Sequence, residues 1–387
     1  MRKTILFLTV TLFWIKGYSQ LSYSSAEKGL SIKALDESVT MKLNFRIQSL
    51  ATLSTFTNSD EPEMNAMIRR MRLKAKGYIY NPKFEYKLEL ALSNRDMGNS
   101  SDEKETSNAP KLVLDAVFKY NINDKNEFWF GQTKLPGNRE RVISSRDLQF
   151  VDRSDVNSKF NIDRDFGIQY RHNNSIGDMP IILAAAITTG EGRNITAVNE
   201  KLGMAYTGRV EFYPFGSFTK GGDYFGSDLM REEKHKLAIG ASFCSNQNTN
   251  RSGGQLGKFV TDSLGKVYTD ISTLFVDMMY KYKGVSVMVE YANKQTPEYV
   301  SGFATGSGIT GQLGYLFKNN YEISSRYTQV ELFSSPTASS ITDEYTLGFS
   351  KYFVGHMLKW QADVSYISNE GSADGEYRFR VQLEMGI

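Results

Sequence analysis

The stretch Arg70-Met71-Arg72-Leu73-Lys74-Ala75-Lys76-Gly77-Tyr78-Ile79 alternates with a period of two. Met71, Leu73, Ala75, Gly77 and Ile79 fall on one side, and Arg70, Arg72, Lys74, Lys76 and Tyr78 on the other. A strand turns successive side chains to opposite faces, so the stretch predicts one apolar and one strongly basic face. The flanks repeat the pattern. Upstream, Val39, Met41, Leu43, Phe45 and Ile47 interleave with Thr40, Lys42, Asn44, Arg46 and Gln48. Downstream, Phe84, Tyr86, Leu88 and Leu90 interleave with Glu85, Lys87 and Glu89. The end of the chain sets Tyr377, Phe379, Val381, Leu383 and Met385 against Arg378, Arg380, Gln382 and Glu384.

About sixteen such segments follow one another. They start near Thr40, Ile68, Phe84, Lys111, Glu127, Arg164, Pro180, Leu202, Lys236, Ile271, Val285, Ile309, Tyr321, Glu344, Leu358 and Tyr377. Each is roughly the ten residues that a tilted strand needs to cross a membrane. Composition agrees. Of 387 residues, 49 are aromatic, 32 are Gly and only 8 are Pro, while 23% are charged. That polarity excludes a helical membrane bundle, which needs several apolar runs of about 20 residues. A single Cys excludes a disulfide framework or a Cys-rich zinc site.

Residues 1–19 read as a secretory signal: Arg2 and Lys3, an apolar core from Ile5 to Ile15, then small Gly17 and Ser19 before Gln20. The core is too short to anchor the chain across a bilayer. Removal of these residues lowers the 46 basic residues to 43, equal to the 43 acidic ones. The mature chain therefore carries no net-charge case for nucleic-acid binding. The expected organisation is a signal over 1–19, a short segment over 20–38 and a barrel over 39–387.

Connections alternate too. Asn81–Lys83, Asn121–Asn126, Asn173–Asp178, Lys283–Gly284, Lys318–Asn320 and Val354–Met357 are short. Thr57–Met67, Ser93–Pro110, Pro136–Asp163, Glu191–Lys201, Asn246–Asp270 and Gln295–Gly308 are long. Bacterial outer-membrane barrels pair short periplasmic turns with longer external loops. Pro214–Lys234 breaks the rule: it stands in a short-turn position yet is long. It is either a folded periplasmic turn or a sign that the strand count is off by two. The fold class expected is all-β, a transmembrane antiparallel β-barrel of about 16 strands in the outer membrane of a Gram-negative bacterium. A closed barrel leaves no free sheet edge.

The register then places the cations. Arg or Lys on the lipid face costs about 2–4 kcal/mol each at the bilayer midplane. Arg70, Arg72, Lys74 and Lys76 must therefore face the lumen. Closure sets the last strand beside the first, so Arg378 and Arg380, then Lys42 and Arg46, then the tetrad are expected on one continuous wall. Rows of Arg and Lys favour anions in pores, and the guanidinium fork suits phosphate. The alternative is that these are simply solvated polar positions, neutralised by Glu85, Glu89, Asp115 and Glu384.

Two motifs carry a family likeness: Arg69-Arg70-Met71-Arg72-Leu73 with Gly77, and Gly131-Gln132-Thr133-Lys134-Leu135-Pro136. With the loop Ser144-Ser145-Arg146-Asp147-Leu148-Gln149-Phe150-Val151-Asp152-Arg153-Ser154, the segment Gly208–Phe215 and Arg326-Tyr327, the chain resembles the phosphate-selective porin O and P family. The resemblance implies a sixteen-stranded homotrimeric porin whose third loop folds inward, passing small anions such as phosphate along basic residues. It adds Lys134, Arg139, Arg141, Arg146 and Arg153 to the anion-lining set; some of these stand to pair with Asp147, Asp152 and Asp155 and hold the loop. No dense lysine cluster appears in Asn246–Asp270, which carries only Arg251, Lys258 and Lys266.

No enzyme, cofactor or metal site is expected. His172, His235 and His356 would all sit at periplasmic turns, without a second ligand at metal spacing. Trp129 and Trp360 are expected in the interfacial girdles. The functional expectation is passive diffusion of small anions, phosphate among them, with outer-membrane lipid around the wall. The alternatives are a general, weakly selective porin, or a β scaffold that binds or adheres through its long loops.

Overall fold

The computed structural model describes residues 19–23, 29–34, 36–97, 112–195, 201–372 and 374–387. The expected signal lies outside them except for Ser19, which opens the first short strand. The wall is built from sixteen strands. They are β1 (Thr40–Phe56), β2 (Ser59–Tyr78), β3 (Phe84–Ala91), β4 (Val113–Asn123), β5 (Asn126–Lys134), β6 (Arg164–Ile176), β7 (Met179–Thr188) and β8 (Ala205–Phe212). There follow β9 (Lys236–Thr249), β10 (Thr269–Tyr282), β11 (Val285–Gln295), β12 (Gly306–Leu316), β13 (Tyr321–Ser335), β14 (Ala338–Val354), β15 (Leu358–Asn369) and β16 (Gly375–Gly386).

Every strand pairs antiparallel with the next, and β16 closes on β1 from Glu376 opposite Phe56 to Gly386 opposite Arg46. Below Arg46 the edge of β1 would be bare. There the hairpin of Ser19–Tyr23 and Leu30–Ala34 pairs with it, Leu30 opposite Leu43 and Lys33 opposite Thr40. The expected short segment 20–38 thus covers an exposed strand edge.

Exposure follows the alternation, inverted relative to a water-soluble protein. Phe118, Ile168, Ile187, Phe243, Leu347 and Leu383 are exposed on the outside, whereas Gln48, Thr207, Glu290, Thr328 and Gln361 are buried within. Trp360 lies on the outer face beside Phe349, its ring centroid 6.0 Å away. Trp129 does not join it. It sits between outward Phe128 and Phe130, and so turns into the lumen, where Lys119 and Arg171 cover its ring.

One connection differs from expectation, and another takes one of its two expected forms. Thr57–Met67 is not a loop: β1 and β2 continue to a turn at Thr57 and Asn58. Strands of 17 and 20 residues outrun the bilayer, and their mutual hydrogen bonds satisfy the backbone without help from lipid. The Pro214–Lys234 connection is a folded turn, and the count of sixteen stands. It holds a 3₁₀ segment, Thr219–Tyr224, and reaches inward until the Gly226 amide donates to the Asp147 carbonyl of loop three at 2.7 Å.

Loop three runs between β5 and β6 and carries α1 (Arg139–Val142) and α2 (Asp155–Phe160). It folds into the barrel. Its Leu135, Val156, Phe160 and Ile162 pack on Ala186, Ala205, Phe275, Ala292 and Val330 of the far wall. A second cluster joins Ile143 and Leu148 to Tyr213 and Phe218 of the folded turn and to Ala238, Met279 and Met288. The approach needs bare backbone: a Cβ on Gly308 would lie 2.8 Å from Val156, and one on Gly348 3.0 Å from Phe150.

Candidate functional site: a basic path along one wall

Because loop three leans on β7–β14, the remaining space runs down the opposite wall, formed by β16 and β1–β3. An outer basin of about 460 Å³ opens above the loop. Arg69, Arg70, Arg95, Arg141, Arg153, Arg378 and Arg380 line it, with Asp152, Asp155 and Glu344. An inner basin of about 160 Å³ lies toward the periplasmic turns, lined by Lys42, Arg46, Arg72, Lys74, Lys76 and Arg146 with Glu89 and Asp147.

Between the basins stands a column of paired charges. Asp152 of loop three accepts from Arg69 Nη2 at 2.8 Å and from Arg70 Nη2 at 2.9 Å. Burial opposes the charge of Asp152, yet the Arg70 and Arg69 guanidinium groups hold its carboxyl well below the usual carboxylate range. Arg70 also donates to Gln48 at 3.0 Å. Arg72 donates to Glu89 at 2.8 Å and pairs with Asp96. Arg46 donates to Ser145 of loop three at 2.7 Å and lies 3.4 Å from Glu384. Register fixes this column, since Gln48 faces Arg70 and Arg46 faces Arg72 across β1 and β2.

The inner basin is less compensated. Lys42, Lys76 and Lys87 stand directly opposite one another across β1, β2 and β3. Like charges in directly opposed positions destabilise a sheet, so packing alone gives no reason for this row. Lys87 reaches Asp115 at 2.6 Å. Lys74 and Lys76 make no ion pair among the described residues.

The structure gathers eleven of the thirteen expected cations around the two basins. Lys134 and Arg139 depart from them. Lys134 donates to the carbonyls of Arg141, Val142 and Ile143 at the end of α1, the usual cationic cap of a helix C-terminus. Arg139 is fully buried, with Nε 2.6 Å from Asp277 and its other nitrogens 3.5 Å from Glu211 and 3.6 Å from Asp223. It ties loop three to the wall and to the folded turn rather than lining water. The anticipated pairing within the loop holds for Arg146 with Asp147 at 3.1 Å; Arg153 instead donates to the carbonyls of Glu140 and Ile143. Arg141 pairs with Asp163 while still lining the outer basin. Arg378 pairs with Glu376 and Arg380 with Asp363, each at 2.7 Å.

Arg69 and Arg95 also line the outer basin, where the alternation gives no sign of them. The register slips between Gln48 opposite Arg70 and Ser49 opposite Ile68. This bulge lets the consecutive Arg69 and Arg70 both reach Asp152. Among the described residues, no cluster of three or more His, Cys, Asp or Glu has the arrangement of a metal site. The three histidines lie apart: His172 by Asn126, His235 against Tyr282, and His356 beside Phe225.

Geometry of this kind, a closed sixteen-stranded barrel with a loop folded into a polar lumen, defines a porin-type β-barrel of the outer membrane. Both fold and family match are those of a transport porin and not of an enzyme. Residues 41–228 match the family model of the phosphate-selective porins O and P. A relative from Aquifex aeolicus (strain VF5), described only as an uncharacterized protein, is 23% identical over 363 residues, covering 85% of this chain and 83% of that protein. The fold is similar to OmpF of Salmonella typhi (TM-score 0.56, 10% identity, 91% of this chain and 100% of that one). It is similar also to an anion-selective porin from Comamonas acidovorans (TM-score 0.54, 10% identity, 90% and 100%).

Proposed function

We propose that the protein is a passive porin that admits small anions, inorganic phosphate among them, with weak rather than strict selectivity. The observation that carries this reading is the unequal compensation along the path. Cations outnumber acids in both basins, seven to three and six to two, which favours anions. At the throat, however, Arg70, Arg72 and Arg46 each face a carboxylate. Compensated charge attracts a passing anion less strongly, and binding weak enough to release is what conduction requires. The likeness in fold to an anion-selective porin supports the same direction.

Export through residues 1–19, contact with outer-membrane lipid and assembly as a homotrimer belong to the same proposal. Planar-bilayer recording under a KCl gradient tests it. The expected reversal potential lies on the chloride side, with chloride current only modestly reduced by millimolar phosphate. A cation preference would overturn the anion reading; strong block by low phosphate would replace weak selectivity with phosphate capture. Unheated gel migration at three times the monomer mass is the expected sign of the trimer.

A further inference from the structure

Beside the inner basin, a separate recess of about 200 Å³ opens between β3, β5–β8 and loop three. It differs from the anion path in chemistry. Its floor is apolar, made by Pro136, Val142, Ile182 and Ala184, and Trp129 forms one side. Arg171 lies over the Trp129 ring, 4.1 Å from its centroid, and Lys119 lies 3.8 Å from the same centroid. The Arg171 guanidinium is almost unused. Among the described residues its sole hydrogen bond is a long one, 3.5 Å to Gln169, and Nε is buried without a partner. Glu127, opposite it in register, instead accepts from Trp129 Nε1 at 2.8 Å. Glu211, the acid in the recess, is already held by Arg209 at 2.5 Å and by the Tyr224 hydroxyl at 3.1 Å.

A guanidinium with open donors above an apolar floor suits a ligand with one charged end and one apolar end. We propose that this recess binds small aromatic or alicyclic monocarboxylates, with the carboxylate on Arg171 and the ring over the apolar floor of Ile182 and Ala184. Phosphate is disfavoured there, because Ile182 and Ala184 give its remaining charged oxygens no donor and the other cations of the recess are engaged, Lys134 by loop carbonyls, Arg209 by Glu211 and Asp277, and Lys87 by Asp115. Lys87 lines the recess and stands opposite Lys76 of the inner basin, so an organic anion arriving by the basic path meets the recess beside it. The inference rests on anions reaching the lumen, but binding can be read without conduction.

Substitution of Trp14 and Trp360 by Phe leaves Trp129 as the sole tryptophan of three. Its fluorescence in detergent micelles reports the recess directly. Benzoate and cyclohexanecarboxylate are expected to change the emission saturably, and acetate, phosphate and benzyl alcohol to need at least tenfold higher concentrations. Arg171→Gln should weaken benzoate roughly tenfold or more, as loss of a charge-assisted hydrogen bond does. Ala184→Val, which fills the floor, should weaken benzoate while leaving the acetate response unchanged. Acetate binding as tightly as benzoate would overturn the proposal, as would an unchanged benzoate affinity in both variants. Should neither variant assemble, the comparison of benzoate with acetate and benzyl alcohol still decides it. Benzoate binding with a cation-selective reversal potential would sink the anion porin while sparing the recess.

Discussion

The two walls of the barrel face the same lumen and do opposite things. On the near wall, inward positions of β1, β2 and β3 hold long cations: Lys42, Arg46, Arg70, Arg72, Lys74, Lys76 and Lys87. On the far wall, inward positions include Ala186, Ala205, Ala238, Ala292, Gly308 and Gly348, and loop three fills the room they leave. Small inward residues mark where a loop packs; long charged ones mark where water stays. Lysines obey the same division. Lys281 on the far wall donates to the carbonyls of Gly222, Phe225 and Ser227 at 2.7–2.8 Å, pinning the folded turn, whereas Lys74 and Lys76 face the inner basin.

The most damaging break should come on the far wall. Arg139→Ala leaves Asp277, Glu211 and Asp223 less compensated in a buried site, and removal of one partner from such a cluster costs about 3–5 kcal/mol. Unfolding in urea should shift accordingly, and single-channel records should become noisier as loop three loosens. Gly348→Leu should follow, because its side chain collides with Phe150; overpacking of this kind costs about 1–3 kcal/mol, read as a lowered melting temperature.

On the near wall the expected effects are on current rather than stability. Arg70→Glu with Arg72→Glu should move the reversal potential toward cations; an unchanged value would remove this wall from the mechanism. Asp152→Asn should do the reverse, since it releases Arg69 and Arg70. Asp152 titrates below its ordinary value near 3.9, so its ion pairs are fully present above that value and vanish only as pH falls through the lower folded value. The difference between wild type and Asp152→Asn should therefore hold constant from pH 8 to about pH 4 and close only in stronger acid. Lys76→Ala should change stability least, by a few tenths of a kcal/mol and in the favourable direction, because it relieves the opposed Lys42 and Lys87. Its signature is a smaller anion current at unchanged melting temperature.

Much of the barrel was legible in the chain because the side-chain period of a strand is two and lipid tolerates few charges. Met71, Leu73 and Ala75 could face only outward once Arg70, Arg72 and Lys74 were their neighbours. Strand number and the face of each expected wall cation follow from that local rule, while closure rests on the length of the chain and the alternation of short and long connections. Alternation could not find Arg69, because a bulge changes parity at one residue and leaves no mark in the pattern. Nor could it tell Arg139, a buried anchor, from Arg141 two residues on, which lines the outer basin. Their neighbours are Asp277 and Asp163, and those distances are set by how the loop folds back.

The sequence by itself determined that this chain is a membrane-spanning barrel with a basic wall, since each strand's facing depends on adjacent residues alone. Only the tertiary structure decided where loop three leaves the two basins, which cations line them and that Trp129 looks inward. Those outcomes depend on loop three and the folded turn meeting walls more than a hundred residues away, where burial makes each charge find a partner or remain in water.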